Sequence, residues 1–236
     1  MSAERRRQSA VTNGSRDGTI LKGGRTLMKD RAYAEIKRFI QRSDLAPGSF
    51  LAERQLADQL GMSKTPVRAA LERLEAEGLV TISPQQGIII RDLTVHEIAD
   101  QYEIRAALEG YVARTLAGKL TASEIARLRE NLHAQESMKG KHDVAQIVTL
   151  DTEFHTLFCD ILGNREIRRV MGQLRDKMHR VIAKVFQTHP GRVDTSYAEH
   201  CAIADAVIRG DGAEAARLIE HHLEVGKRFL LSTRHR

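Results

Sequence analysis

Two cysteines in 236 residues are too few for a disulfide framework. Cys159 and Cys201 both fall in stretches of helical periodicity, so they read as reduced thiols of a cytoplasmic protein. No apolar run approaches the ~20 residues that a membrane-spanning helix requires. The opening MSAERRRQSA lacks the apolar segment of a secretory leader. No internal repeat, phosphate-binding loop or nucleophile motif is visible, which removes the usual sequence signs of a solenoid or a hydrolase. Excess charge is also scarce outside one segment. The chain carries +6, of which residues 1–28 hold +4, residues 29–92 hold +1 and residues 93–236 hold +1. Bulk electrostatics therefore says little about the folded part. The basic, Gly/Ser-containing residues 1–28 are expected to form a disordered tail able to graze DNA phosphates.

At 42% hydrophobic and 29% charged residues, the remainder reads as soluble and globular, long enough for two small domains. Residues 28–42 have helical spacing, with Tyr33, Ile36, Phe39 and Ile40 on one face. After a turn at Leu45-Ala46-Pro47-Gly48, short helices are expected over 52–60 and 63–77. Ser63 is placed as an N-cap, Pro66 in a first turn and Gly78 at a C-terminus. The β-branched runs 79–82 and 88–90 bracket Ser83-Pro84-Gln85-Gln86-Gly87 and predict a hairpin. Three helices and a hairpin within residues 29–92 make a winged helix-turn-helix. Beyond Thr94 all periodicity is helical, with helices expected near 94–118, 121–138, 143–162, 164–187, 193–209 and 212–232. The fold class is thus mainly α: a winged helix-turn-helix followed, over residues 93–236, by an all-α bundle of about six helices.

Four polar residues interrupt the apolar stripes of that bundle. Val148, Asp151, His155, Phe158 and Leu162 follow a 3, 4, 3, 4 spacing, one face of a helix. Val193, Tyr197, His200, Ala204 and Val207 form a second such line, and Leu218, His222, Val225 and Phe229 a third. An ionisable group on a core-facing stripe costs several kcal/mol of desolvation unless something satisfies it. One carboxylate and three imidazoles suit a divalent metal; zinc, nickel, manganese and iron all accept such a set. A hydrogen-bonded polar core is the alternative. Cys159, one turn after His155, reads as a buried inert thiol, and His221 shares a solvent-facing line with Arg217, Glu224 and Arg228. Arg105 lies on an inner stripe with Ile98, Tyr102, Glu109, Val112 and Leu116. It is either one half of a buried ion pair with Glu109 or a guanidinium waiting for a ligand carboxylate. Arg175 and His179 lie on a partly apolar line with Ile182 and Phe186 and are candidates for the same pocket.

Leu51-Ala52-Glu53-Arg54-Gln55-Leu56-Ala57, then Gly61-Met62-Ser63-Lys64-Thr65-Pro66-Val67-Arg68 and Leu71 to Val80, resembles the DNA-binding signature of GntR-type bacterial transcription regulators. Asp151-Thr152-Glu153-Phe154-His155, Glu199-His200 and His222-Leu223 resemble the FCD effector domain of the FadR subfamily. Together the similarity spans about residues 30–232. It implies a homodimer on double-stranded operator DNA, usually a repressor, and supports a carboxylate-binding role for Arg105. Arg54, Ser63, Lys64, Thr65 and Arg68 would face DNA, Arg68 by bidentate contact with guanine and the hydroxyls by phosphate contact. Gly87 would let the wing approach the backbone. Two departures weaken part of this pattern: Lys64 stands where the family often has Arg, and Gln86 where the wing often has Arg.

The leading expectation is a regulator whose metal-containing bundle binds a small carboxylate and changes operator affinity. A metal sensor, with the ion itself as signal, uses the same ligands. A metal-dependent hydrolase fused to a DNA-binding module is the remote alternative: Glu153, its only candidate base, lies two residues from both Asp151 and His155 and points to another side of the helix.

Overall fold

The computed structural model describes residues 27–41, 48–83 and 87–233. The basic tail up to residue 26, the turn at 45–47 and the wing tip with Gln86 lie outside the described residues. Within them, α1 (Met28–Gln41), β1 (Phe50–Leu51), α2 (Glu53–Leu60), α3 (Lys64–Ala76), β2 (Val80–Ser83) and β3 (Gly87–Ile90) build the first unit. Then α4 (Val95–Leu116), α5 (Ala122–Glu136), α6 (Val144–Leu162), α7 (Arg165–Thr188), α8 (Arg192–Arg209) and α9 (Gly212–Thr233) build the second. All six helices of the bundle match the predicted periodic segments to within two residues at each end. Thr94 and Thr121 close capping boxes with Glu97 and Glu124. Asn164 accepts from the backbone of Glu166 and Ile167 to start α7. Gly163 ends α6 with φ at 72°, a conformation that costs a side chain but not a glycine.

The first unit carries one addition to the expected hairpin. The two-residue strand β1 pairs antiparallel with β3, Phe50 opposite Ile89 and Leu51 opposite Ile88, so the sheet runs β1-β3-β2. Its core is Ala32, Ile36 and Ile40 of α1 packed on Leu56, Val67, Leu71, Leu74, Val80 and Ile90. The bundle has its own core, with Phe154, Ile98, Leu128, Met178, Ile203 and Ile219 fully enclosed. Helix α4 lies along α9 for most of its length and also contacts α6, which brings its inner stripe against the polar residues of α6 and α9.

The two units meet through polar contacts rather than a shared core. Lys37 of α1 pairs with Asp176 of α7, Gln41 donates to the same carboxylate, and Arg180 of α7 donates to the carbonyl of Arg91. Helix α7 thus faces the first unit with one side and the bundle core with Met171, Leu174 and Met178.

Gly87 holds φ at 92°, and a Cβ there would sit 2.7 Å from the carbonyl oxygen of Leu51. Its lack of a side chain is explained by the close pairing of β1 with β3, without reference to DNA. Gly87→Ala is expected to cost roughly 1–3 kcal/mol, read as a lower urea midpoint at unchanged slope.

Candidate functional site

Helix α6 presents Asp151 and His155 one turn apart, α8 brings His200 and α9 brings His222. All four are buried: His200 is 0% exposed and Asp151, the most open, 8%. One ligand atom from each lies within 4.8 Å of all the others. His222 Nε2 is 3.2 Å from His155 Nε2 and 3.3 Å from His200 Nε2. Asp151 Oδ1 stands 3.8 Å from His200 Nε2 and accepts a hydrogen bond from Ser196 Oγ at 3.4 Å. Phe154 stacks on the His200 ring, centroids 4.0 Å apart, closing that side to water. Burial, reinforced by neighbouring positive groups, holds His200 well below the ordinary histidine range. Burial also lowers His222. Three histidines with an aspartate, His200 and His222 held down by burial, are a donor set that fits a divalent ion.

Each ring has a polar partner on its far nitrogen. His155 Nδ1 is 2.5 Å from Glu109 Oε2, His200 Nδ1 is 2.8 Å from Gln135 Oε1, and His222 Nδ1 is 2.6 Å from Glu199 Oε2. Cys159 takes no part. Burial pushes its thiol up to about 12, and its sulfur lies against the carbonyl of His155, 3.7 Å away, within the same helix. His221 and Glu153 are exposed, as their positions on the helices predict.

Arg105 is buried, and the geometry is that of the ion pair. Its Nε donates to Glu109 Oε1 at 2.7 Å, which completes the predicted ion pair. Arg105 also lines the cavity beside the cluster. Burial alone would raise the Glu109 carboxyl. Arg105 and then His155 outweigh it and hold the group down to about 2.

The cavity has two lobes that share Arg105, Asp151, His155 and Ile182. One, of about 20 Å³, is walled by Met171, Leu174 and Met178, with Arg175 at its rim. The other, of about 30 Å³, is walled by Tyr102, Phe186, Arg192 and Ser196. His179 does not line either lobe. It opens instead on a groove with Arg38, Gln41 and Asp143, between α7 and the first unit. The inner side of α7 follows Met171, Leu174, Met178, Val181 and Val185, and His179 lies one position past it. Arg192 was missed by the sequence reading. It is buried and donates to Glu199 at 2.6 Å, with His222 Nδ1 3.3 Å away. The seven-residue spacing of Arg192 and Glu199, two helical turns, was the available signal.

On the first unit, Arg54, Ser63, Lys64, Thr65 and Arg68 are all exposed. Ser63 occupies the N-cap of α3 but makes no capping hydrogen bond, so its hydroxyl and the first backbone N–H groups of α3 face outward. Arg68 is held by Glu53, Nε to Oε2 at 3.1 Å, and Arg54 is 3.8 Å from Asp58. Both ion pairs are exposed at their arginine ends and cost little to exchange for a phosphate or a base.

A winged helix-turn-helix with an exposed third helix, followed by a helical bundle with a buried polar cluster, defines a DNA-binding regulator with a second, all-helical unit. Comparison with known families agrees. Residues 28–90 match the model of "Bacterial regulatory proteins, gntR family" and residues 100–225 that of the "FCD domain". The chain belongs to the GntR family and carries an FCD domain. It is similar to the HTH-type transcriptional repressor RspR of Escherichia coli K12, 27% identical over 84% of this chain and 86% of that protein. It is also similar to the Nta operon transcriptional regulator of Aminobacter aminovorans, 30% identical over 75% of this chain and 82% of that one. Among solved structures, E. coli McbR/YncC shares the fold with a TM-score of 0.78 at 21% identity, over 88% of this chain and 98% of that one. The protein is a DNA-binding transcription regulator and its relatives are regulators, not enzymes. None of its described helices is long and apolar enough to cross a membrane.

Two outcomes are expected from this geometry. Glu109→Ala strands the Arg105 charge in the core and should cost roughly 3–5 kcal/mol of folding stability by chemical denaturation. Arg68→Ala should leave the melting temperature within about a degree or two of wild type, because its ion pair is exposed. Against a duplex selected from a random pool by the wild type, the same variant should bind roughly 5- to 150-fold more weakly by fluorescence anisotropy, equivalent to about 1–3 kcal/mol. Unchanged affinity would remove Arg68 from the DNA surface.

Proposed function

We propose that this regulator holds a divalent metal ion on Asp151, His155, His200 and His222, and that a small carboxylate, seated against the ion and Arg105, changes its affinity for operator DNA. The observation that carries this reading is the juxtaposition of a four-ligand cluster with a buried arginine that lines the same cavity. The ion would act as a Lewis acid that, with Arg105, fixes the acid's oxygens. The chain's own residues set the rest: Arg105 offers a bidentate fork, Ser196 and Tyr102 line the polar lobe, and the methionines of α7 line the apolar one. A hydroxy, keto or sugar acid has the matching chemistry. A buried arginine beside the cluster favours the acid as the signal over the metal ion as the signal. Zinc, nickel, manganese and iron all accept these ligands.

Residues 29–92 are read as the DNA-binding domain and 93–236 as the ligand-binding and dimerising one. A homodimer would place two α3 helices on a pseudo-palindromic operator, and a change in their spacing would release it, the behaviour of a repressor. Ile104 and Tyr111 stand exposed on one face of α4, an apolar surface that a second copy would cover. A protein of this kind works where the chromosome is, in the bacterial cytoplasm.

The deciding experiment strips the protein with chelator and records its melting temperature with each divalent metal. At a concentration 100-fold above the dissociation constant, a bound ion adds about 2.7 kcal/mol. A clear upward shift, absent in Asp151→Ala and His155→Ala, is expected. No shift with any of the four metals would leave the cluster as a hydrogen-bonded core. His200→Ala should abolish the metal response and any response to carboxylates while DNA binding persists.

A further inference from the structure

The outer partners of the three histidines fix more than ring orientation. The carbonyl oxygen of Leu150 has no hydrogen to give, so Asn131 Nδ2 donates to it, at 3.2 Å. That turns Asn131 Oδ1 toward Gln135, whose Nε2 donates to it at 2.6 Å. Gln135 is left presenting Oε1 to His200 Nδ1 at 2.8 Å. Each amide has one donating and one accepting end, so the direction is passed along the chain without ambiguity. His200 must carry its hydrogen on Nδ1, and its Nε2 is a bare lone pair.

Carboxylates do the same for the other two rings. Glu109 is clamped by Arg105 Nε at 2.7 Å and Glu199 by Arg192 Nη2 at 2.6 Å. A carboxylate paired with a guanidinium stays ionised and only accepts. His155 and His222 therefore also carry hydrogen on Nδ1; at His222 the Glu199 oxygen at 2.6 Å outweighs Arg192 Nη2, a donor 3.3 Å from the same nitrogen. Three bare Nε2 lone pairs then face one another at 3.2 and 3.3 Å, an arrangement that repels itself until a cation enters. Free histidine prefers the opposite tautomer, so the protein has selected the less favoured form three times.

We propose that Asn131, Gln135, Glu109 and Glu199 are positioning residues that lock all three histidines in the Nδ1–H tautomer, so that their metal-binding nitrogens converge before an ion arrives. Asn131 and Gln135 form the part that is purely hydrogen-bonded. Glu109 and Glu199 each tie a histidine to an arginine of the acid-binding lobe. Such outer partners typically change metal affinity by about 10- to 100-fold. This inference rests on the metal reading for its consequence, but its core claim concerns the metal-free protein.

The test uses full-length protein labelled with 15N in histidine. Long-range proton–nitrogen spectra of the metal-free protein should show three rings with protonated Nδ1 and bare Nε2, assigned through His155→Gln, His200→Gln and His222→Gln. Zinc affinity, measured by chelator competition, should fall roughly 10- to 100-fold in Gln135→Leu. Gln135→Glu, which keeps an acceptor against His200 Nδ1, should recover most of that loss. A protonated Nε2 on His200 in the metal-free protein would overturn the proposal, as would a Gln135→Leu variant that binds zinc like the wild type. Should Gln135→Leu fail to fold, the wild-type spectra alone decide. If the wild type shows the three Nδ1–H rings yet binds no zinc, the tautomer lock stands and the metal reading falls.

Discussion

Ionised groups cannot be left alone inside a helical bundle, and the middle of this protein is arranged around that constraint. Arg105, Glu109, Asp151, Arg192 and Glu199 lie at or near the centre of residues 93–236, with three imidazoles between them. Isolated, each would cost several kcal/mol to desolvate. Four of them join two histidines in Arg–Glu–His chains, 105–109–155 and 192–199–222, that meet at one cluster with Asp151. The packing of α4 along α9, and of α6 and α8 beside them, serves to make those chains meet. A shift of a few ångströms in any of these helices would leave a charge without its partner.

The same constraint decided what could be read from the amino-acid string. Asp151, His155, His200 and His222 were legible because each breaks an apolar line at helical spacing, and a polar residue on a buried stripe has to be explained. Arg105 was legible for the same reason. Gln135 extends the line Ile125, Leu128 and Leu132 at helical spacing, a signal that passed unread, whereas Asn131 lies off that line on a helix that is mostly exposed. Their meaning depends on partners 65 residues away for Gln135 and 19 for Asn131, distances at which periodicity says nothing. His179 failed in the opposite way. The line from Arg175 to Phe186 looked plausible as a stripe, but the buried side of this long helix is set by its contacts, and His179 falls just outside it.

The winged unit shows a similar division. Its helices and hairpin follow from N-cap, proline and β-branched signals, whereas β1 could not be seen because two residues carry no alternation. Yet β1 supplies the physical reason for Gly87, whose absent side chain makes room for the Leu51 carbonyl. A residue assigned to DNA approach on resemblance has a structural duty first, and the two roles are compatible.

The seam between the units has a consequence of its own. Lys37, Gln41, Asp176, Arg180 and the Arg91 carbonyl hold the first unit to α7 with charge and hydrogen bonds, over little shared apolar surface. Parting them exposes almost nothing oily, and water replaces each bond at a modest energetic cost. The molecule is therefore built like two rigid bodies joined by a clasp: the clasp can open and close many times while both cores remain intact. The clasp and one wall of the cavity belong to the same helix, α7.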